Sequence, residues 1–361
     1  MSTIIIKKER NSSLELLRIL AMLFIVLSHA CVHSRFDLSS SSVNINSLFV
    51  QWGVLGNLGV DIYVLISGYF LCKKENNYYS IIKLLLQVWF YSYLLFVICR
   101  CIFDFSYTSK DYFRFFFPTL FKEYWFFTAY FVLNLLSPYI NIFLKKSNRV
   151  VIRNMIIMMF VIWIILPTFT LQSMYSNELV QILFFYIVGA YFRLYPDFTI
   201  KNNLITIGLT IISFLLLFSS TVVLNVLGEY ISFFQNKGTV FYNRDSLLVV
   251  ICAIGLFSSF LNFPAFTNKF INRVAACTFG VYLIHDNPAM RNILWINIFK
   301  HAEQLESNDL IFRIIISVLI VFTVSTIVEY LRILILGDFF DKSANYIKKK
   351  LTILKARIIS K

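Results

Sequence analysis

Charge is what this chain has least of. Only 14% of its 361 residues are Asp, Glu, Lys or Arg, while 58% are hydrophobic and the mean hydropathy is +0.73. That balance excludes an ordinary soluble domain and points to an integral membrane protein. None of the six cysteines (Cys31, Cys72, Cys99, Cys101, Cys252, Cys277) stands in a Cys-x-x-Cys pair. Neither a zinc site nor a disulfide framework is therefore expected, and the thiols read as small apolar fillers. The sequence also lacks a Gly-x-Ser-x-Gly elbow and a phosphate-cradling P-loop. A cleavable signal peptide is not expected: Lys7, Lys8 and Arg10 precede an apolar run of about 20 residues, the length of a span rather than of a signal core.

Acidic residues are scarce too, 19 against 33 Lys and Arg, for a net charge of +14. Nucleic acid is one explanation for such an excess, but its placement supports another. Apolar segments fall at about 11–34, 49–71, 81–103, 124–144, 151–170, 179–193, 203–226, 245–262, 273–298 and 310–336. They are separated by polar stretches such as Ser39–Ser42 and Lys73-Lys74-Glu75. An aromatic, mixed-charge loop at Asp104–Phe117, closed by Pro118, is expected to lie on the membrane surface. Ten spans place both ends on one side, with 23 of the 33 basic residues there. The positive-inside rule then makes both termini cytoplasmic and accounts for the excess without nucleic acid. The expected fold is an all-α polytopic membrane protein of about ten transmembrane helices. No internal repeat or linker divides it. The segments are a cytoplasmic stretch 1–12, a membrane domain 13–337 and a basic cytoplasmic tail 338–361.

The first span carries the most informative residues. Ser12-x-x-Glu15 has the form of a capping box. Arg18 and His29 lie inside the apolar run, eleven residues apart, which puts them on one helix face about 16 Å apart along the axis. A charge in hydrocarbon costs at least about 2.5–3.5 kcal/mol unless it faces a partner or a wet cavity. Two such residues on one stripe point to a polar channel. The plainer alternative is an Arg that snorkels to the cytoplasm and a His that reaches the far headgroups. His33 follows His29 by one turn. A catalytic His needs a neighbour to set its tautomer, and Asp61 in span two and Asp286 beside His285 in span nine are the available carboxylates. The plainer alternative for Asp61 is neutralisation of Arg18 in a buried ion pair. The His29/His33 pair has metal-ligand spacing, but residues 30–32 lack the Glu of a metalloprotease helix, so no metal is expected. Glu329 and Arg332, three apart near the inner end of span ten, read as a structural pair.

Four segments in order are similar to the acyltransferase-3 family of integral membrane acyltransferases, specifically its bacterial polysaccharide O-acetyltransferase branch. They are Glu15-Leu-Leu-Arg18 with His29 beyond it, Gly59-Val-Asp-Ile-Tyr-Val-Leu-Ile-Ser-Gly68, Tyr124-Trp-Phe-Phe-Thr-Ala-Tyr130, and Phe279-Gly-Val-Tyr-Leu-Ile-His-Asp-Asn-Pro288. The resemblance spans about residues 11–340. It implies a ten-helix enzyme of the bacterial inner membrane that moves an acyl group, usually acetyl, from acyl-CoA to a sugar hydroxyl. The acceptor would be an exported or cell-surface polysaccharide (capsule or O-antigen) or a lipid-linked saccharide. No cofactor would be bound; acetyl-CoA would be the donor substrate, and membrane lipids the surroundings.

Residue by residue, the resemblance makes His29 the catalytic histidine, Arg18 its basic partner and Asp61 the acidic position of span two. Where many members carry Arg-x-x-Arg after that span, this chain offers Lys73, Lys74 and Lys83, which lack the bidentate fork of Arg. These lysines and Arg18 are the expected acyl-CoA contacts. His29 is expected to act as general base, directly or through an acyl-histidine. Ser67, Tyr69 and Tyr282 are candidate oxyanion donors. His285 and Asp286, next to the helix break that Pro288 implies, are expected either at the acceptor entrance or at a helix end held in the interface. Trp125 and Tyr130 either stack on the sugar or, the favoured reading, anchor in the interfacial belt. The rival function is a transporter or flippase of lipid-linked saccharides. A polysaccharide polymerase is a further alternative, disfavoured by the lack of a large outer loop.

Overall fold

The computed structural model describes residues 11–38, 43–74, 78–103, 108–174 and 177–359. The basic residues Lys7, Lys8 and Arg10, the Ser39–Ser42 loop, Glu75, the first four residues of Asp104–Phe117, and Lys361 lie outside these. Every regular element among the described residues is helical. In chain order they are α1 (Ser12–His33), α2 (Ile45–Trp52), α3 (Gly56–Leu71), α4 (Tyr78–Phe103), α5 (Ser109–Phe116), α6 (Trp125–Lys146) and α7 (Arg149–Phe160). There follow α8 (Leu166–Thr170), α9 (Glu178–Leu194), α10 (Asn203–Tyr230), α11 (Leu247–Asn262), α12 (Lys269–His285), α13 (Pro288–Asn292) and α14 (Leu310–Ile359). A π-helical stretch, Val161–Ile165, joins α7 to α8.

Among the described residues, seven segments are long and apolar enough to cross a membrane: α1, α2 with α3, α4, α6, α7 through α8, α10 and α14. Their outward faces carry exposed side chains such as Leu135, Ile142, Ile211, Leu215, Leu319 and Ile327. A soluble protein does not present apolar stripes of that extent to water. Several ionisable residues within the helices lie inward instead, with Asp61, His285, Asp286, Glu329 and Arg332 all buried. The chain is a multi-pass membrane protein.

Several details correct the sequence reading. The N-cap of α1 is Asn11, whose side chain accepts from the Ser13 backbone N–H, rather than Ser12. The Ser12 hydroxyl instead donates to Asn272 Oδ1 at 2.8 Å, tying α1 to α12, and Glu15 turns to Arg18. The second span starts at Ile45 and breaks between Trp52 and Gly56. The ninth stops at His285, and the chain after Asn287 turns into the short α13 and a π-helical Ile293–Ile298. The tenth continues without interruption past residue 337 to Ile359. The segment expected as a loop before α6 is instead helical over Ser109–Phe116, opened by a Thr108–Asp111 capping box.

α3 sits at the centre, against α1, α9 and α11, while α12 packs on α1, α4 and α14. Glycine allows the closest of these approaches. A Cβ at Gly59 would overlap the Ala21 carbonyl oxygen of α1. One at Gly68 would overlap the Tyr186 carbonyl, and one at Gly189 the Leu65 carbonyl, so α3 and α9 meet backbone to backbone from both sides. Small residues at helix contacts are how membrane helices gain packing, since lipid tails supply no hydrophobic drive between them. The pair anticipated in span ten anchors a polar node: Glu329 accepts from Arg332 Nη2 at 2.6 Å and Nε at 2.8 Å, from the Tyr91 hydroxyl at 2.7 Å and from Gln87 at 3.0 Å.

Candidate functional site

The helical repeat builds the first wall of a cavity of about 540 Å³. Arg18, Met22, Ile25, His29 and Val32 follow one another at steps of four, three, four and three along α1, and all line it. The opposite stripe of α3 contributes Asn57, Val60, Tyr63 and Ser67. Trp125, Phe126 and Tyr130 of α6 and Thr278, Phe279 and Tyr282 of α12 close the sides. α1 and α3 run antiparallel, since Gly56 meets Ser28 where Gly59 meets Ala21. Asn57 therefore lies at the His29 end, and Arg18 at the other. The Arg18 guanidinium is partly exposed and donates to Glu15 Oε2 at 2.7 Å. Toward the Arg18 end, the Ser67 and Tyr130 hydroxyls are 3.1 Å apart. The hydroxyls of Tyr63 and Tyr282 are buried and have no hydrogen-bond partner among the described residues.

Behind the cavity, at the His29 end, lies a compact polar cluster. His29 Nδ1 is 2.9 Å from His285 Nε2. His285 Nδ1 is 2.6 Å from the Val281 carbonyl oxygen one turn back. Asp286 Oδ1 accepts from Arg291 Nε at 2.7 Å and stands 3.5 Å from both His29 Nδ1 and His33 Nε2. Arg291 also reaches the Asp286 carbonyl oxygen at 3.0 Å and the Glu123 carbonyl oxygen at 3.4 Å. Asn287 donates to the Tyr124 hydroxyl at 2.7 Å, and that hydroxyl donates to the Leu283 carbonyl at 3.0 Å, which fixes the start of α6 beside the cluster. Outside the spans, Glu123 pairs with Arg114 at 2.8 Å, and burial pushes its carboxyl above the usual carboxylate range. The donor atoms of His29, His33 and Asp286 lie within 4.8 Å of one another, close enough to hold a metal ion. Arg291 already supplies a cation to the same Asp286 oxygen.

Of the residues singled out in the sequence, Arg18, His29, Trp125 and Tyr130 share the cavity, as do Ser67 and Tyr282. Asp61 is not among its lining residues. It follows Val60 by one position and so points about 100° away from it. It is fully buried, with neither carboxylate oxygen hydrogen-bonded among the described residues. His285 and Asp286 do not present themselves to an acceptor: they are 0% and 1% exposed, packed behind His29. Lys73, Lys74, Lys83 and Tyr69 also lie off the cavity lining. Lys83 pairs with Asp341 of α14, and the Tyr69 hydroxyl accepts from Arg193 at 2.9 Å.

Tyr63 and Arg244, like the Arg291 just described, escaped the sequence reading. Tyr63 stands three after Val60 and four before Ser67, a spacing that would have put it on the cavity stripe. Arg244 carries no such signal. Its guanidinium donates to Asn57 Oδ1 at 3.2 Å and lies 4.3 Å from the ring centroid of Trp125, backing two lining residues from outside. The family profile that matches the chain is of the acyltransferase-3 type, described as an acyltransferase domain, and it covers residues 11–330. No curated protein and no solved structure matches the chain.

Proposed function

The chain belongs to the acyltransferase-3 family, so it is a membrane acyltransferase, and we propose that it moves an acetyl group from acetyl-CoA to a sugar hydroxyl of an exported or lipid-linked saccharide. The observation that carries this reading is one cavity lined at one end by Arg18 and at the other by His29. Coenzyme A is polyanionic, so its phosphates stay at the cytoplasmic mouth while the thin pantetheine arm enters the passage. Arg18 meets the phosphate end, with the exposed Lys73 and Lys74 beside that mouth. A saccharide enters from the other side and rests its ring on Trp125.

His29 then acts as general base. It takes the proton of the sugar hydroxyl as the oxygen bonds to the thioester carbonyl carbon. The C–S bond breaks, and the departing thiolate recovers the proton from His29. Base assistance of this kind is worth about 10²–10⁴-fold. The free hydroxyls of Tyr63 and Tyr282 can donate to the oxyanion in between.

The topology that accompanies this reading has ten crossings with both termini cytoplasmic, in a bacterial inner membrane. It counts the shorter α9, α11 and α12 as crossings, of 17, 16 and 17 residues. At 1.5 Å per residue these reach about 25 Å and need slight local thinning of the bilayer. Radiolabelled acetyl-CoA supplied to inverted vesicles is expected to transfer label to saccharide, and His29→Ala is expected to abolish the transfer. Unaltered saccharide acetylation in cells that hold normal amounts of the His29→Ala protein would overturn the assignment.

A further inference from the structure

We propose that His285 is a positioning residue that holds His29 in the tautomer whose lone pair faces the cavity; the proposal rests on the acyl-transfer reading only for its kinetic consequence. A carbonyl oxygen can only accept, so the 2.6 Å contact with Val281 puts the His285 hydrogen on Nδ1. Nε2 of neutral His285 is then an acceptor. The group 2.9 Å from it, His29 Nδ1, is the donor. In neutral His29 the remaining lone pair sits on Nε2, which has no protein hydrogen-bond partner among the described residues, on a ring that lines the cavity. The proton taken from the sugar hydroxyl goes to that atom, and the thiolate recovers it from there.

The orienting group is thus a second imidazole rather than a carboxylate. Asp286, the obvious candidate, stands 3.5 Å from His29 Nδ1, longer than an N–H···O bond, and is engaged by Arg291. His33 faces the same carboxylate oxygen from 3.5 Å. Local geometry explains how His285 keeps its own tautomer: Val281 and His285 are four apart on α12, so the ring bonds back to its own helix, whatever occupies the cavity. A neutral orienter also adds no charge to a site within membrane reach, where an extra ion is costly.

The test uses the full chain in lipid nanodiscs with ¹⁵N-labelled histidine, the His29 signals being identified by their absence in His29→Ala. Wild-type His29 is expected to carry hydrogen on Nδ1 and none on Nε2. In His285→Leu that preference is expected to disappear and kcat for acetyl transfer to fall about 10²–10⁴-fold, the range for losing an oriented base. KM for acetyl-CoA and for the saccharide should stay near wild type. His285→Gln, whose side-chain oxygen can accept from Nδ1–H, should restore most of the rate. Hydrogen on Nε2 of wild-type His29, or a wild-type kcat in His285→Leu, overturns the proposal. Should the Leu variant fail to fold, the wild-type tautomer and the Gln variant decide. Wild-type protein with the expected tautomer but no acetyl transfer would sink the functional reading while leaving the positioning role in place.

Discussion

Replacing Asp286 by Asn tests whether the polar cluster serves the reaction or only the fold. The step assigned to His29 creates an imidazolium 3.5 Å from the Asp286 carboxylate. At an effective dielectric constant of 20, that attraction is about 5 kcal/mol. Water in the cavity reaches His29, whose side chain is 15% exposed, so about half of it survives screening. A loss of 2–3 kcal/mol corresponds to a fall in kcat on the order of 10²-fold. The ground state holds a neutral imidazole and feels little of this field, so KM for donor and acceptor should move much less. Folding is expected to persist, because Arg291 keeps its bonds to the Asp286 and Glu123 carbonyls and an amide oxygen stands where Oδ1 was. The assay is steady-state acetyl transfer in nanodiscs, with unfolding temperature as a control. An unchanged kcat at unchanged stability would refute the claim that the carboxylate answers charge developing on His29.

Trp125→Ala should raise the saccharide KM about tenfold, the order of an aromatic contact, while KM for acetyl-CoA stays put; equal effects on both substrates would remove Trp125 from the acceptor end. Glu329→Leu strands the Arg332 guanidinium that it binds through two nitrogens, and should cost about 1–3 kcal/mol. Thermal unfolding in detergent reads that loss, and the Gln variant should lie between Leu and wild type. Outside the spans, burial and then the Arg313 charge push the His301 imidazole down to about 4 from its ordinary 6.5. The folded state thus favours neutral His301, so its contribution is complete above pH 6.5 and shrinks as pH falls toward 4. The unfolding temperature should drop across that window, and His301→Gln should flatten the drop.

The first wall of the site was legible because a single helix settles it. The eleven-position offset from Arg18 to His29 fixes their relative azimuth without knowledge of any neighbour. Asp61 was misjudged for the complementary reason: hydropathy gave its depth, whereas its direction depended on where α1 packs against α3, a contact written in Gly59 and Ala21. His285 and Asp286 do stand at the end of their helix, but the expectation put them on its surface. What turns them inward is α1 lying over them and Arg291 reaching back five residues, both tertiary facts. The partner of Lys83 is 258 positions away, beyond any local pattern. The break at Pro288 was foreseen from chemistry alone, since proline lacks the N–H that would have continued α12.

The backbone contacts of α3 bear on how the two substrates meet. With Gly59 pressed on the Ala21 carbonyl, and Gly68 and Gly189 interlocked across the facing helix, any sliding of α3 would drive main-chain atoms into one another. Carriers that rock between two openings need such seams to slip. Here α3 is locked to α1 and α9, so that seam is not one that slips. In the proposed reaction, thioester and alcohol arrive through opposite doors of this corridor, and only the two-carbon cargo makes the crossing.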